Sequence, residues 1–104
     1  MVTEVTKDNI DEIIASNRVV FLKFYSDWCA PCAALAPVVE ELAEKYSGKL
    51  FFGQVKANED VQLARRYKVM GLPAIRIIKD GEVVSVLQGL KSEEELESAI
   101  EQYI

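Results

Sequence analysis

In the segment FLKFYSDWCAPC (21–32), apolar and aromatic residues lead into two cysteines. Its first half belongs to the run RVVFLKFYS (18–26), whose β-branched and aromatic residues predict a buried strand. The following segment, CAALAPVVEELAEKYSGK (32–49), has apolar residues at helical spacing and predicts a long helix. The cysteine pair therefore lies where a strand ends and a helix begins, and Lys23 interrupts the apolar strand.

The rest of the chain continues this alternation of strands and helices. The predicted elements are a short strand around Glu4 and Val5, a helix in KDNIDEIIASN (7–17), a strand in LFFGQVKA (50–57), a short helix in DVQLARRY (60–67), strands in AIRIIK (74–79) and EVVSVLQ (82–88), and a helix in SEEELESAIEQYI (92–104). Asp80-Gly81 between the last two strands is typical of a hairpin turn, and Ser92 with Glu95 forms a capping box. Gly48 is expected to end the long helix and Pro37 to kink it.

This order of elements predicts an α/β fold with a central mixed β-sheet. Strands that alternate with helices pair in parallel through crossover connections, and the hairpin adds an antiparallel edge. Because the strands read as continuous apolar runs, helices are expected to cover both faces of the sheet. With 104 residues, the chain has the length of one domain, and we expect a single domain spanning 1–104.

Composition and charge argue against several classes of partner. The net charge of −5 opposes nucleic-acid binding, which requires a basic face. No segment approaches the length of a membrane span, and the opening MVTEVTKDNI lacks the basic and apolar regions of a signal peptide. We therefore expect a cytoplasmic protein with no membrane or nucleic-acid partner. In the cytosol thiols are kept reduced, so a lone CxxC is more often catalytic than structural.

The spacing of Cys29 and Cys32 suits thiol–disulfide exchange. Unpaired amides in the first turn of a helix stabilise an anion, and this lowers the pKa of a thiol placed there. Cys29, nearer the exposed end, is expected to attack a substrate disulfide, and Cys32, one turn deeper, to resolve the mixed disulfide. Pro31 fits the first helical turn, where a missing amide proton costs little.

Other roles for the cysteine pair are less favoured. A structural zinc site needs about four ligands, whereas the chain has 2 cysteines and 0 histidines. A purely structural disulfide across so short a loop would remove little entropy from the unfolded chain. Two inert buried thiols are the remaining alternative. We expect redox catalysis and no metal site.

Four segments together resemble the thioredoxin family: FYSDWCAPC (24–32), MGLPAI (70–75), KDGEV (79–83) and QGL (88–90). The resemblance runs in the same order and spacing from about Val5 to Ile104. It implies a thioredoxin fold and a thiol–disulfide oxidoreductase, a protein-disulfide reductase that serves electron transport and cell redox homeostasis. No glycine-rich dinucleotide fingerprint is present, so no flavin, nicotinamide or other cofactor is expected.

The resemblance also implies a substrate-binding rim around the cysteines. Trp28 is expected to shield them, and Pro73 to follow a cis Leu72–Pro73 bond and to pack beside the disulfide. Such a bend leaves backbone groups of Leu72 free to pair with an extended substrate strand. Instead of binding substrate, Met70 could fill the core, and Gly71 and Gly89 could simply permit turns. The expected rim comprises Trp28, Ala30, Pro31, Met70, Gly71, Leu72, Pro73 and Gly89.

The sequence departs from the family pattern beside and beneath the cysteines. Ala30 stands where glycine is usual, and Ala33 where a lysine is common. Lys23 aligns with a buried acidic residue of typical members, and Gln54 with the lysine that often faces that acid. The carboxylate of this pair is therefore lost, and the cation has moved to the other partner.

Three hypotheses describe Lys23, since burial disfavours an ammonium. A neutral amine could accept the proton of Cys32 in place of the missing carboxylate. A charged amine could instead stabilise a thiolate, which favours the reduced form and makes the protein a stronger oxidant. In the third, the stem is buried while the amine reaches water or pairs with an acid such as Glu40.

The expected partners are disulfide-containing protein substrates and a separate disulfide reductase that serves as electron donor to a monomeric protein. Two alternatives remain open. The first is an oxidant or isomerase of the same fold, suggested by Lys23 and Ala30. The second is a non-catalytic binding subunit that uses the apolar rim without turnover.

Overall fold

The computed structural model describes residues 1–104 and contains five strands and four helices. The strands are β1 (Thr3–Glu4), β2 (Val19–Tyr25), β3 (Phe51–Lys56), β4 (Ala74–Lys79) and β5 (Glu82–Gln88). The helices are α1 (Ile10–Ser16), α2 (Ala30–Lys45), α3 (Val61–Arg66) and α4 (Glu93–Glu101). Every predicted element is present, in the predicted order. None of the helices combines the length and apolar character that a bilayer span requires.

The five strands form one mixed sheet in the order β1-β3-β2-β4-β5. β3 lies between β1 and β2 and is parallel to both, whereas β4 is antiparallel to β2 and to β5. The predicted mixed sheet and the antiparallel hairpin are confirmed. Within this hairpin β4 pairs with β2 and β5 forms the edge of the sheet.

Alternating side chains of β2 enter two separate cores, one on each face of the sheet. Phe21 packs in a cluster with residues of α2 and α4, and Leu22 packs in a cluster with residues of α1 and α3. Both side chains are 0% exposed, and burying such a side chain stabilises the fold by about 1.5–3 kcal/mol. Coverage of both faces explains the continuous apolar run, and it places Lys23 on the same face as Phe21, beneath α2.

The helix ends differ from the predictions where tight turns intervene. α2 ends at Lys45, before Lys49, because the chain turns there: the amide of Lys49 donates to the carbonyl of Tyr46 at 2.9 Å, and Gly48 has φ +81°. α2 is continuous through Pro37, and the kink expected there stays a prediction. α1 begins at Ile10 and α4 ends at Glu101, each three residues inside the predicted range.

Candidate active site

Cys29 is the N-cap of α2, and its side chain performs the capping. Its backbone is extended (φ −113°, ψ 101°), and its Sγ accepts a hydrogen bond from the amide of Cys32 at 3.2 Å. The two cysteines form a disulfide with their Cα atoms 5.1 Å apart. A sulfur in this position receives the hydrogen bond that a serine or aspartate oxygen accepts at an ordinary helix N-terminus.

The two sulfurs differ in their access to solvent. Cys32 is 3% exposed, whereas Cys29 is only half-buried. The first turn of α2 contains no acidic residue, so no carboxylate there opposes a negative charge on Cys29. The geometry therefore offers one accessible sulfur that can bear charge and one enclosed sulfur directly behind it.

The sheet brings the segment MGLPAI (70–75) to the same end of the molecule as the cysteines. Phe24, near the end of β2, pairs with Ala74, the first residue of β4, and Ala74 also pairs with Gln88 at the end of β5. The residues that follow β2, precede β4 and follow β5 therefore lie at the same end of the sheet. This register carries Trp28, the segment 70–73 and Gly89 toward one another.

The rim residues fall into exposed and enclosed groups. Trp28 is 86% and Met70 95% exposed, so Met70 does not fill core. Ala30 and Pro31 are exposed, Gly71, Leu72 and Gly89 are half-buried, and Pro73 is buried. The Leu72–Pro73 peptide bond is cis, as the resemblance implies.

The loop 70–72 presents free backbone groups. The amides and carbonyls of Met70, Gly71 and Leu72 make no hydrogen bond to other backbone groups of the chain. The carbonyl of Pro73 is held by the amide of Gly89 at 2.8 Å. Side chains are also close here: a Cβ on Gly71 would lie 2.9 Å from the side-chain nitrogen of Gln88. The loop thus combines an exposed apolar side chain with an unpaired stretch of backbone.

Lys23 is enclosed without a close counter-ion. The residue is 3% exposed, its Nζ lies 5.4 Å from the centre of the Tyr25 ring, and it takes part in none of the salt bridges. No buried side-chain nitrogen lacks a hydrogen-bond partner, so the amino group of Lys23, which makes no hydrogen bond to protein, retains contact with solvent. Burial lowers the pKa of Lys23, and the charges of Glu40 and Glu4 act in the opposite direction.

Sequence reasoning missed Glu4, which lies beside this lysine. Glu4 is in register with Gln54, and Gln54 is in register with Lys23. The Glu4 carboxylate accepts hydrogen bonds from the Gln54 amide nitrogen and from the Tyr25 hydroxyl, the latter at 3.1 Å. Burial, together with this carboxylate, raises the pKa of Tyr25 to about 12. The sequence showed only that Glu4 belongs to a predicted short strand. It did not show that this strand lies next to β3.

Comparison with known proteins agrees with this geometry. A family model described as Thioredoxin matches residues 1–102. A thioredoxin from Staphylococcus saprophyticus is 36% identical over 103 residues, covering 99% of this chain and 98% of that protein. A thioredoxin from Bacillus subtilis is 36% identical over 89 residues, 86% of each chain.

Solved structures show the same likeness. A point mutant of thioredoxin from Halobacterium salinarum superposes with a TM-score of 0.90 at 37% identity, covering 97% of this chain and 88% of that one. Plasmodium falciparum thioredoxin superposes with a TM-score of 0.91 at 31% identity, covering 99% of this chain and 100% of that one.

Proposed function

The chain belongs to the thioredoxin family and is a thiol–disulfide oxidoreductase, and we propose that it reduces disulfides of protein substrates through Cys29 and Cys32. One observation carries the proposal. Cys29 caps α2 with its sulfur 3.2 Å from the amide of Cys32, and Cys32 is enclosed one turn deeper. This arrangement favours a thiolate on the accessible sulfur and keeps the second thiol within reach of it.

The reaction proceeds by two exchanges that conserve electrons. The Cys29 thiolate attacks one sulfur of the substrate disulfide, a mixed disulfide forms, and the other substrate sulfur leaves as a thiolate that takes up a proton. Cys32 then loses its proton and attacks Cys29, which releases the second substrate thiol. The protein ends with the Cys29–Cys32 disulfide, oxidised by two electrons, and the substrate ends with two thiols.

The rim binds the substrate as an extended strand. The unpaired backbone of Leu72 is available to add a strand by main-chain hydrogen bonds, while Trp28 and Met70 contribute exposed apolar surface. Ala30 and Pro31 form the exposed turn between the cysteines, and Gly71, Pro73 and Gly89 form the other side of the rim. These residues orient the scissile disulfide and take no part in proton transfer.

A separate disulfide reductase returns the Cys29–Cys32 disulfide to the dithiol, and the protein acts in the cytoplasm as a single-domain monomer. A net charge of −5 disfavours the basic face that nucleic acid would need in order to bind. Electron flow from the reductase through this protein to substrates is the form of electron transport that we assign to it.

Turnover of a protein disulfide tests the proposal. The reduced protein should reduce insulin, and Cys29→Ser should abolish the activity. Cys32→Ser should instead accumulate a mixed disulfide at Cys29, visible as a mass increase that dithiothreitol reverses. If the parent reduces nothing while Cys29→Ser still retains partner proteins, the chain is a binding subunit.

Lys23 favours the alternative function, in which the protein acts as an oxidant by the same thiol–disulfide exchange. Its amino group lies beneath α2 and retains solvent contact, and the charges of Glu40 and Glu4 oppose the lowering of its pKa by burial, so we propose that it stays charged and stabilises a thiolate of the pair. If that effect is worth about one pKa unit, or about 1.4 kcal/mol, the reduction potential is less negative by about 30 mV.

Substitution of Lys23 by methionine measures this effect. The potential of Lys23→Met, determined in glutathione redox buffers, should be more negative than that of the parent, and Lys7→Met on the exposed surface serves as the control. An unchanged potential together with an unchanged rate of attack on a disulfide would leave Lys23 with no role in the chemistry.

A further inference from the structure

Arg76 is a buried cation that faces no carboxylate. It lies in β4, is 4% exposed, and takes part in none of the salt bridges. Its guanidinium donates to three backbone carbonyls instead: Nε to Tyr67 at 3.0 Å, Nη2 to Lys68 at 3.1 Å and Nη1 to Ile75 at 3.0 Å. Desolvation by burial lowers its pKa from the usual value. A charged group enclosed at such cost needs all of these acceptors.

Two of these carbonyls belong to the turn that ends α3. The amide of Lys68 donates to Arg65 at 3.0 Å and the amide of Val69 donates to Ala64 at 2.9 Å, with Lys68 at φ +58°. This is a Schellman motif, in which the left-handed position usually belongs to glycine. A lysine there carries a steric cost, and the motif leaves the carbonyls of Tyr67 and Lys68 without helical partners. The guanidinium of Arg76 donates a hydrogen bond to each of these two carbonyls.

The same turn leads directly into the substrate loop. Residues 70–72 follow Val69 at once, and their backbone groups make no hydrogen bonds to the rest of the backbone. The far end of the loop is held where Gly89 donates to Pro73 at 2.8 Å. The loop therefore has two anchors, one at Pro73 and one at the turn that Arg76 closes.

Arg76 is separated from the cysteines by the sheet itself. It is in register with Leu22 of β2, whose side chain belongs to the core beneath α1 and α3. Cys32 belongs to α2, which covers the other face through residues such as Leu35. Arg76 can thus hold the loop without contributing a close charge to the sulfurs.

We propose that Arg76 is a positioning residue for protein substrates: its hydrogen bonds to Tyr67 and Lys68 set the course of the loop 70–72 that pairs with the substrate strand. The proposal rests on the proposed function, because it assigns a specificity role within that reaction. Docking of an extended protein segment depends on where the free backbone of Leu72 lies, whereas attack on a small disulfide depends on Cys29.

Arg76→Met tests the proposal because methionine keeps an apolar stem and removes every guanidinium donor. The expected result is a KM for insulin about fivefold higher at unchanged kcat, the size of effect that loss of one net hydrogen bond produces. The rate with the small disulfide 5,5′-dithiobis(2-nitrobenzoate) and the pH profile of Cys29 alkylation should match the parent. Arg65→Met, the same change at an exposed residue of α3, is the control.

Arg76→Lys covers the case in which the methionine variant fails to fold. It keeps the cation but lacks the planar fork that reaches separate carbonyls, and its KM for insulin should also rise. Equal losses with insulin and the small disulfide, or parental KM values in a folded variant, would overturn the proposal. Failure of the parent to reduce either substrate would instead overturn the proposed function, so the two failures are distinguishable.

Discussion

The acidity of Cys29 is the property on which the proposed reaction depends, and it can be measured in a protein with one thiol. Cys32→Ala removes the second thiol but keeps the backbone amide of residue 32, which lies 3.2 Å from the Cys29 sulfur. A hydrogen bond to a charged group contributes about 1.5–3 kcal/mol, and the dipole of a helix N-terminus about 0.3–1 kcal/mol. Because Cys29 is half-buried, water competes for the thiolate, and the lower part of this range applies.

Stabilisation by about 2 kcal/mol raises the acidity of a thiol more than tenfold, since about 1.4 kcal/mol corresponds to one pKa unit. The pKa of the Cys29 thiol should therefore lie clearly below about 8.5, the value of an ordinary cysteine. The assay is the rate of alkylation by iodoacetamide as a function of pH, and its midpoint reports the thiolate. The same variant unfolded in urea is the control, because unfolding removes the helix and should restore the ordinary value.

The shift also has a consequence for stability. An acid whose pKa is depressed in the folded state stabilises that state at pH values above the unfolded pKa, and this stabilisation is lost as the pH falls through the folded pKa. The free energy of unfolding of Cys32→Ala should therefore rise between neutral pH and about 8.5. A folded-state midpoint at or above the ordinary value, or one that urea leaves unchanged, would show that the helix N-terminus does not acidify Cys29.

Three further predictions concern the frame around the site. Gly53→Ala should lower the free energy of unfolding by about 1–3 kcal/mol in urea titration, because the added Cβ would lie 2.6 Å from a methyl carbon of Val5. Ser92→Ala should cost about 1 kcal/mol, measured as a lower Tm, since Ser92 Oγ accepts from the amide of Glu95 at 3.1 Å. Tyr25 should titrate in ultraviolet absorbance near its raised pKa of about 12. Because the pKa of Tyr25 is raised in the folded state, the contribution of Tyr25 to stability is complete below about pH 10 and is lost as the pH approaches the folded-state pKa. A Tyr25 titration at about pH 10, the ordinary value for tyrosine, would contradict the prediction.

Much of the fold and part of the site could be predicted, because these features depend on residues that are neighbours in the chain. The strand-to-helix junction at Cys29, the hairpin at Asp80-Gly81 and the capping box at Ser92 each follow from residues a few positions apart. The ends of α1, α2 and α4 were less accurate, because the turns that stop a helix depend on single hydrogen bonds.

Local sequence patterns were enough to identify the strands and helices and to place a cysteine sulfur at a helix N-terminus. Contacts between distant segments were needed to show that β4 lies beside β2, that Glu4 lies across Gln54 from Lys23, and that Arg76 binds the turn before residues 70–72. The physical reason is range. Periodicity and capping express the conformation of a few adjacent residues. Strand order and buried polar contacts depend instead on which distant surfaces exclude water together and satisfy each other's hydrogen bonds.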